Sequence, residues 1–264
     1  IVATAIAVES SWRVALRVLA VGGWIVILPF ALWVVRERGR ADSTERAPGE
    51  SANGADDLEL AEAMRTPSFW ILCGVLFSFY FYYIGVNNHL VAFLSDSGFT
   101  EAEAARRFGA AVAVGILGKI GVGLVADRIP KRAAIVATFT LMTAGSFALL
   151  FVGEAPALLP AFLIVHGFTV AAENVVLPLI VADCFGVRHL ARIYGAIMLM
   201  LLPGGVLGPV FAGYAFDTFG SYRVAFTTFA IVNVAAVAAL ALIRPLAANR
   251  ERLKGGSRWP SSKS

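Results

Sequence analysis

A single lysine, Lys119, stands inside the apolar run 107–126, and Gly123, Asp127, Arg128, Lys131 and Arg132 crowd directly behind it in "GKIGVGLVADRIPKR". About seven residues, or roughly 10 Å of helix, separate Lys119 from the charged end of its run, further than a lysine comfortably snorkels. An ionisable residue at such depth is costly unless it faces protein or water, and so marks a functional position by default. The alternative is a structural lysine paired with a neighbouring helix.

Two further sets of polar residues fall on helical faces within apolar runs. His166, Thr169 and Glu173 recur at steps of three and four, with Asn174 beside them and Pro178 below. Glu173 lies near mid-depth of its run, which makes it, with His166, the candidate to carry a proton. In "FSFYFYYIGVNNH", Tyr80, Tyr83 and Asn87 share one face, and Asn88 and His89 sit at its outer end. A hydroxyl or amide facing lipid would lack a partner, so these groups line a pathway or belong to an aromatic packing ridge. Phe77, Phe79 and Phe81 are expected to be packing residues.

Enzyme chemistry is not supported. "AVGILGKI" has Ala113 where a phosphate loop needs its first glycine, and Ile120 where Ser or Thr would hold magnesium. The three histidines lie on separate segments, without His-Glu-x-x-His or Gly-x-Ser-x-Gly. No catalytic residue, cofactor or metal is therefore expected.

The elements that must position these side chains are membrane spans. Of 264 residues, 58% are hydrophobic and 15% charged, and the mean hydropathy is +0.76; a water-solvated surface needs far more charge. Runs long enough to cross about 30 Å of hydrocarbon fall near 14–35, 68–89, 107–126, 133–153, 158–184, 193–216 and 223–244. With alternating spans, segments 36–66, 127–132, 185–192 and 244–264 share one side and carry sixteen of the 22 Lys and Arg. The positive-inside rule makes that side cytoplasmic. The net charge of +4 then reflects orientation in a membrane, and no basic stripe interleaved with exposed aromatics suggests a nucleic-acid partner. Cys73 and Cys184 fall in separate spans and read as unpaired packing residues.

The opening "IVATAIAVES" is too short to span and is read as the end of an upstream helix in an N-terminally truncated chain. Residues 36–66, rich in charge, Gly, Ser and Ala, read as a linker. An echo flanks that division: "SWRVAL" at 11–16 opens the span before the linker, and "SYRVAF" at 221–226 opens the last one. Each looks like the final helix of a repeated six-helix unit, and such repeats around a midplane site are a common transporter architecture.

"GLVADRIPKR" resembles the loop signature of the major facilitator superfamily, Gly-x-x-x-Asp-Arg-x-Gly-Arg-Arg, with Pro130 in place of the glycine and Lys131 in place of an arginine. "PGGVLGPVFAGYAFDTFGSY" looks like the eleventh helix of its monocarboxylate and oxalate/formate branches. "RTPSFWIL" and "FGVRHLARIYG" are also similar to those branches. The resemblance implies an all-α polytopic membrane fold. Residues 1–35 would hold the end of the fifth and the sixth helix of the N-terminal bundle, 36–66 a cytoplasmic linker, 67–246 a six-helix C-terminal bundle and 247–264 a cytoplasmic tail. It implies gating by Gly123, Asp127, Arg128, Lys131 and Arg132, and helix packing through Gly204, Gly208, Pro209, Gly213 and Asp217.

The resemblance also implies that Lys119, matching a cation on the family's eighth helix, binds a substrate carboxylate. From the need of buried polar groups for partners, and not from any family motif, Tyr80, Tyr83, Asn87, Glu173 and Asn174 are expected to line the same cavity, with Glu173 pairing with Lys119 when substrate is absent. Gly115 stands where some monocarboxylate carriers place an aspartate, and "IMLMLLPGGVLGPV" lacks the second lysine of the oxalate branch. The expectation is a secondary carrier of small organic anions, monocarboxylates with a proton, in the cell membrane. A solute sensor that does not transport, or a carrier of another small solute, is the alternative.

Overall fold

Hydrocarbon offers no hydrogen-bond partners, so an apolar chain crossing it satisfies its backbone internally, as helix. A computed structural model describes residues 12–34, 57–125 and 128–256. The chain divides into two compact units, Ile1–Ala52 and Asn53–Ser264. The first holds α1 (Trp12–Val34), a 23-residue helix with Pro29 inside it. The second holds a short α2 (Leu60–Ala63), then α3 (Pro67–Asp96), α4 (Glu101–Val125), α5 (Lys131–Phe151), a 3-10 turn at Pro156–Leu158, α6 (Leu159–Phe185), α7 (Leu190–Met198), α8 (Leu201–Phe219), α9 (Arg223–Leu240) and α10 (Leu246–Gly256). Among the described residues, six helical stretches are long and apolar enough to span a membrane, α7 and α8 together making one.

The helix ends follow from local chemistry. Thr66 caps α3 by accepting from the Phe69 N–H, and Pro67 takes the first helical position, where no N–H is needed. At the start of α4, Glu103 accepts from the Thr100 backbone N–H while Thr100 Oγ1 accepts from the Glu103 N–H, a reciprocal capping box. Gly220, at φ 63°, closes α8 in the left-handed conformation, its N–H donating to the Phe216 carbonyl.

Part of the stretch read as linker is folded. Asp57 accepts from the backbone N–H groups of Val187 and Arg188, and the Leu58 N–H donates to the Phe185 carbonyl, so this segment covers the α6–α7 turn. The described start of the tail is helical too: Asn249 of α10 is fully buried and bonds Ser68, the Cys184 carbonyl and the Arg244 carbonyl.

Helices in lipid gain nothing by hiding apolar surface from one another, so close backbone approach and hydrogen bonds hold them. A Cβ on Gly208 would lie 2.2 Å from the Phe81 carbonyl oxygen, and one on Gly204 would lie 2.8 Å from that of Phe77, so α8 packs backbone to backbone on α3. Gly167 of α6 meets Ala111 of α4 at 2.1 Å in the same sense. Gly213 leaves an ordinary 3.6 Å to His89, Pro209 lies inside α8, and Asp217 is exposed on the same helix. On the other side of α3, buried Asn233 of α9 accepts from Ser78 and donates to Ser146 of α5. Cys73 and Cys184 are free and buried.

Candidate functional site

A cleft of about 370 Å³ opens between α3, α4 and α6. Seven residues separate Tyr80 from Asn87, so the polar wall of α3 is about 10 Å tall. Tyr80, Tyr83 and Asn87 line that wall, Lys119 comes from α4, and His166 and Asn174 come from α6. Phe79 and Phe108 supply the aromatic part of the lining. Phe79, expected only to pack, does both, being 1% exposed in the core and stacked on Tyr83 with centroids 5.5 Å apart. Phe77 stacks on Phe81, and Phe81 meets Phe229 edge to face, away from the cleft.

Lys119 is exposed at the mouth of this cleft, and among the described residues the ion pair present is that of Glu154 with Arg223, far from it in sequence. Six residues, about 9 Å of helix, separate Lys119 from the end of α4. Lys119 thus stands inside a membrane-length helix, without a carboxylate salt bridge among those residues.

His166 is held on both sides. Its Nδ1 is 2.8 Å from Tyr82 Oη and its Nε2 is 3.0 Å from Asn87 Oδ1. An amide oxygen only accepts, so Nε2 carries the hydrogen, and in the neutral ring Nδ1 accepts from the Tyr82 hydroxyl. Tyr82, absent from the sequence reading, is the residue that orients this imidazole. Phe162 stacks on the ring from its own helix.

Glu173 does not reach the cleft wall. It is 2% exposed, and its Oε2 has no hydrogen-bond partner among the described residues. Lys119, Tyr80 and Tyr194 are near enough to interact with it electrostatically, which places it behind the cleft between α3, α6 and α7. Asn174 is exposed in the cleft, its amide donating to the Val170 carbonyl.

At the charged end of α4, Gly123 is exposed with open space around it. Arg128 folds back to donate to the Leu124 carbonyl, where a cation also suits the negative end of the helix dipole. Lys131 begins α5, and Arg132 donates to the Ala241 carbonyl just beyond α9. Asp127 lies outside the described residues. No group of three His, Cys, Asp or Glu that could hold a metal occurs among the described residues.

The arrangement, a cleft between membrane-length helices with one lysine at its mouth, can hold a small solute. The sequence matches the family model described as Major Facilitator Superfamily over residues 1–165 and again over 122–263. The chain belongs to the major facilitator superfamily. As a member of that superfamily with six membrane-length helices among its described residues, it is a multi-pass integral membrane protein. It is similar to monocarboxylate transporter 13 of Rattus norvegicus, 29% identical over 139 residues, covering 52% of this chain and 32% of the relative. It is also similar to monocarboxylate transporter 13 of Bos taurus, 30% identical over 139 residues, covering 52% of this chain and 33% of the relative. The matched region thus spans about a third of the length of these superfamily relatives.

Proposed function

We propose that the protein works as a secondary carrier of small organic anions, taking monocarboxylates by alternating access and coupling them to protons. The observation that carries this reading is Lys119, an ammonium without a salt-bridge partner among the described residues, on the wall of a 370 Å³ cleft within the spanning helices. Such a group is costly in hydrocarbon unless an anion or water meets it. One cation fits one carboxylate better than it fits a dicarboxylate. Similarity to proteins named monocarboxylate transporters points the same way.

In this reading the carboxylate docks on Lys119 beside Tyr80, Tyr83, Asn87 and Asn174. Glu173, buried behind the wall with one oxygen unpartnered, takes up the proton, and His166 relays between it and the cleft. Gly123, Asp127, Arg128, Lys131 and Arg132 form the cytoplasmic latch, which Arg132 supports by tying the α5 start to the α9 end. Residues 1–35 would belong to the first bundle, 36–66 to a cytoplasmic linker, 67–246 to the second bundle and 247–264 to a cytoplasmic tail, in the cell membrane. Transport of this kind makes and breaks no covalent bond.

The test is uptake of labelled lactate, formate and oxalate into proteoliposomes, with and without an inward proton gradient, by the protein and its Lys119→Ala variant. Carboxylate uptake that the variant loses supports the anion site. Unchanged uptake by the variant makes Lys119 structural, and a wild type that moves no carboxylate defeats the reading.

A further inference from the structure

The cleft has two polar ends with the Tyr83 ring between them. Lys119 and Asn174 mark one end, with Phe79 beside them, Asn87 and His166 mark the other, with Phe108 beside them, and Tyr83 lies between the two ends. Helices α3 and α6 run antiparallel here, since Asn87 bonds His166 while Tyr80 interacts with Glu173 one to two turns along. Along α6 the eight residues from His166 to Asn174 correspond to about 12 Å of rise. Lys119 reaches into this height with its flexible stem, which leaves about 8–10 Å between the ammonium and the Asn87 amide.

The chemistry of the second end is fixed by its hydrogen bonds. Asn87 Oδ1 is taken by His166 Nε2–H, and His166 Nδ1 is taken by the Tyr82 hydroxyl. What Asn87 has left is its NH₂ group, which finds no partner among the described residues and belongs to the lining of the cleft. An amide N–H₂ is a donor only. It can serve a hydroxyl or carbonyl oxygen, but a neutral amide backed by a neutral imidazole does not offset the desolvation of a second full charge.

We infer that the cleft is built for an elongated, flat monocarboxylate, an aryl acid, whose carboxylate sits at Lys119 and whose far end presents a neutral hydrogen-bond acceptor to the Asn87 amide. Asn87 is then the specificity-determining residue, and Tyr82 and His166 are positioning residues that aim it. This inference rests on the reading of Lys119 as the anion site. An acid the size of formate or lactate reaches one end only, leaving the other polar end unpaired and the Tyr83 ring uncovered. A flat ring can lie on Tyr83, which the buried Phe79 backs from the core side with centroids 5.5 Å apart.

The experiment is proteoliposome uptake of three labelled acids, lactate, phenylpropanoate and its para-hydroxylated analogue, by the wild type, Asn87→Leu and Lys119→Ala. The wild type is expected to take the para-hydroxylated acid about tenfold better than the unsubstituted one, the worth of one hydrogen bond, and lactate least. Asn87→Leu is expected to erase the para-hydroxyl preference, taking the two aryl acids within about twofold of each other whatever its overall rate, and Lys119→Ala to lose all three. Competition by para-hydroxyl, para-methyl and unsubstituted acids in the wild type alone repeats the comparison without a variant, should Asn87→Leu fold poorly. Equal uptake of both aryl acids, or lactate taken as well as either, overturns the inference while leaving the anion site standing. Uptake of none of them overturns both.

Discussion

The Gly208 α-carbon faces the carbonyl of Phe81 so closely that an added Cβ would lie 2.2 Å from that oxygen and 3.0 Å from its carbon. Both obstructing atoms are backbone, in the middle of a 30-residue helix, so neither can swing aside as a side-chain tip would. Gly208→Ala is expected to force α8 off α3 at a cost of about 1–3 kcal/mol, read as a lower unfolding midpoint in detergent. Gly205→Ala, three residues away, meets only the Cδ1 tip of Ile84 at 2.8 Å and should cost clearly less. Equal losses in the two variants would show that the backbone contact with α3 does not set the effect, since helix propensity favours alanine at both positions.

Asn233 joins three helices at one point, accepting from Ser78 of α3 at 2.7 Å and donating to Ser146 of α5 at 2.9 Å. Interhelical hydrogen bonds in bilayers average roughly 0.6 kcal/mol and reach about 1.7. Asn233→Leu removes two and leaves Ser78 to find another acceptor, so a loss of about 1–2 kcal/mol is expected in the same unfolding assay. Ser78→Ala removes only one of the two bonds and should cost about half as much. A fully stable Asn233→Leu would mean that packing alone holds α9.

The helical period made much of this legible and also set its limits. Tyr80, Tyr83 and Asn87, spaced three and four apart, share a face in any helix, and all three line the cleft. Glu173 shares a line with His166 and Thr169 by the same rule, yet stays off the wall. The cleft follows His166, Val170 and Asn174, a stripe at steps of four that drifts about 40° per step and has turned away by Glu173. Partners are beyond periodicity altogether. Asn233 finds Ser78 across 155 residues and Ser146 across 87, and the choice depends on which spans pack together. A lone asparagine in "FAIVNVAAVAAL" did signal that some partner must exist.

Asp57 and Gly186 make a separate joint on the face carrying the α6–α7 turn. The Asp57 carboxylate occupies the space a Cβ on Gly186 would need, at 2.2 Å from Cγ, and Gly186 has φ 89°, a conformation L residues rarely adopt. Gly186→Ala is therefore strained twice over, and Asp57→Ala strips the acceptor from the Val187 and Arg188 N–H groups, both 2.9 Å away. Asp57→Ala should speed amide exchange across 186–190 and trypsin cleavage after the exposed Arg188, with the spans unaffected. No change in either would mean that the Leu58–Phe185 backbone bond holds the turn unaided.

Asn249 anchors α10 in a comparable way, with its amide nitrogen on the Cys184 and Arg244 carbonyls and its oxygen accepting from Ser68. Asn249→Ala leaves both carbonyls and the serine without this partner. Amide exchange over 246–256 should rise while exchange in α3 and α6 interiors stays as in the wild type. Faster exchange throughout would show that the tail helix supports the whole bundle rather than docking on it.

A variant at Glu173 can tell transport from coupling. Its carboxyl is buried, off the cleft wall, with Oε2 lacking a partner among the described residues. Glu173→Gln keeps the shape and can donate a hydrogen bond, but it cannot gain or lose a proton. If Glu173 carries the coupled proton, the variant should still exchange labelled carboxylate for unlabelled across proteoliposomes while losing its response to an inward proton gradient. A structural glutamate predicts the opposite pattern, with gradient response retained and any loss shared equally by exchange and net uptake. In a proton-coupled carrier exchange needs the solute alone to cross while net accumulation needs the proton too, and that difference would assign the residue.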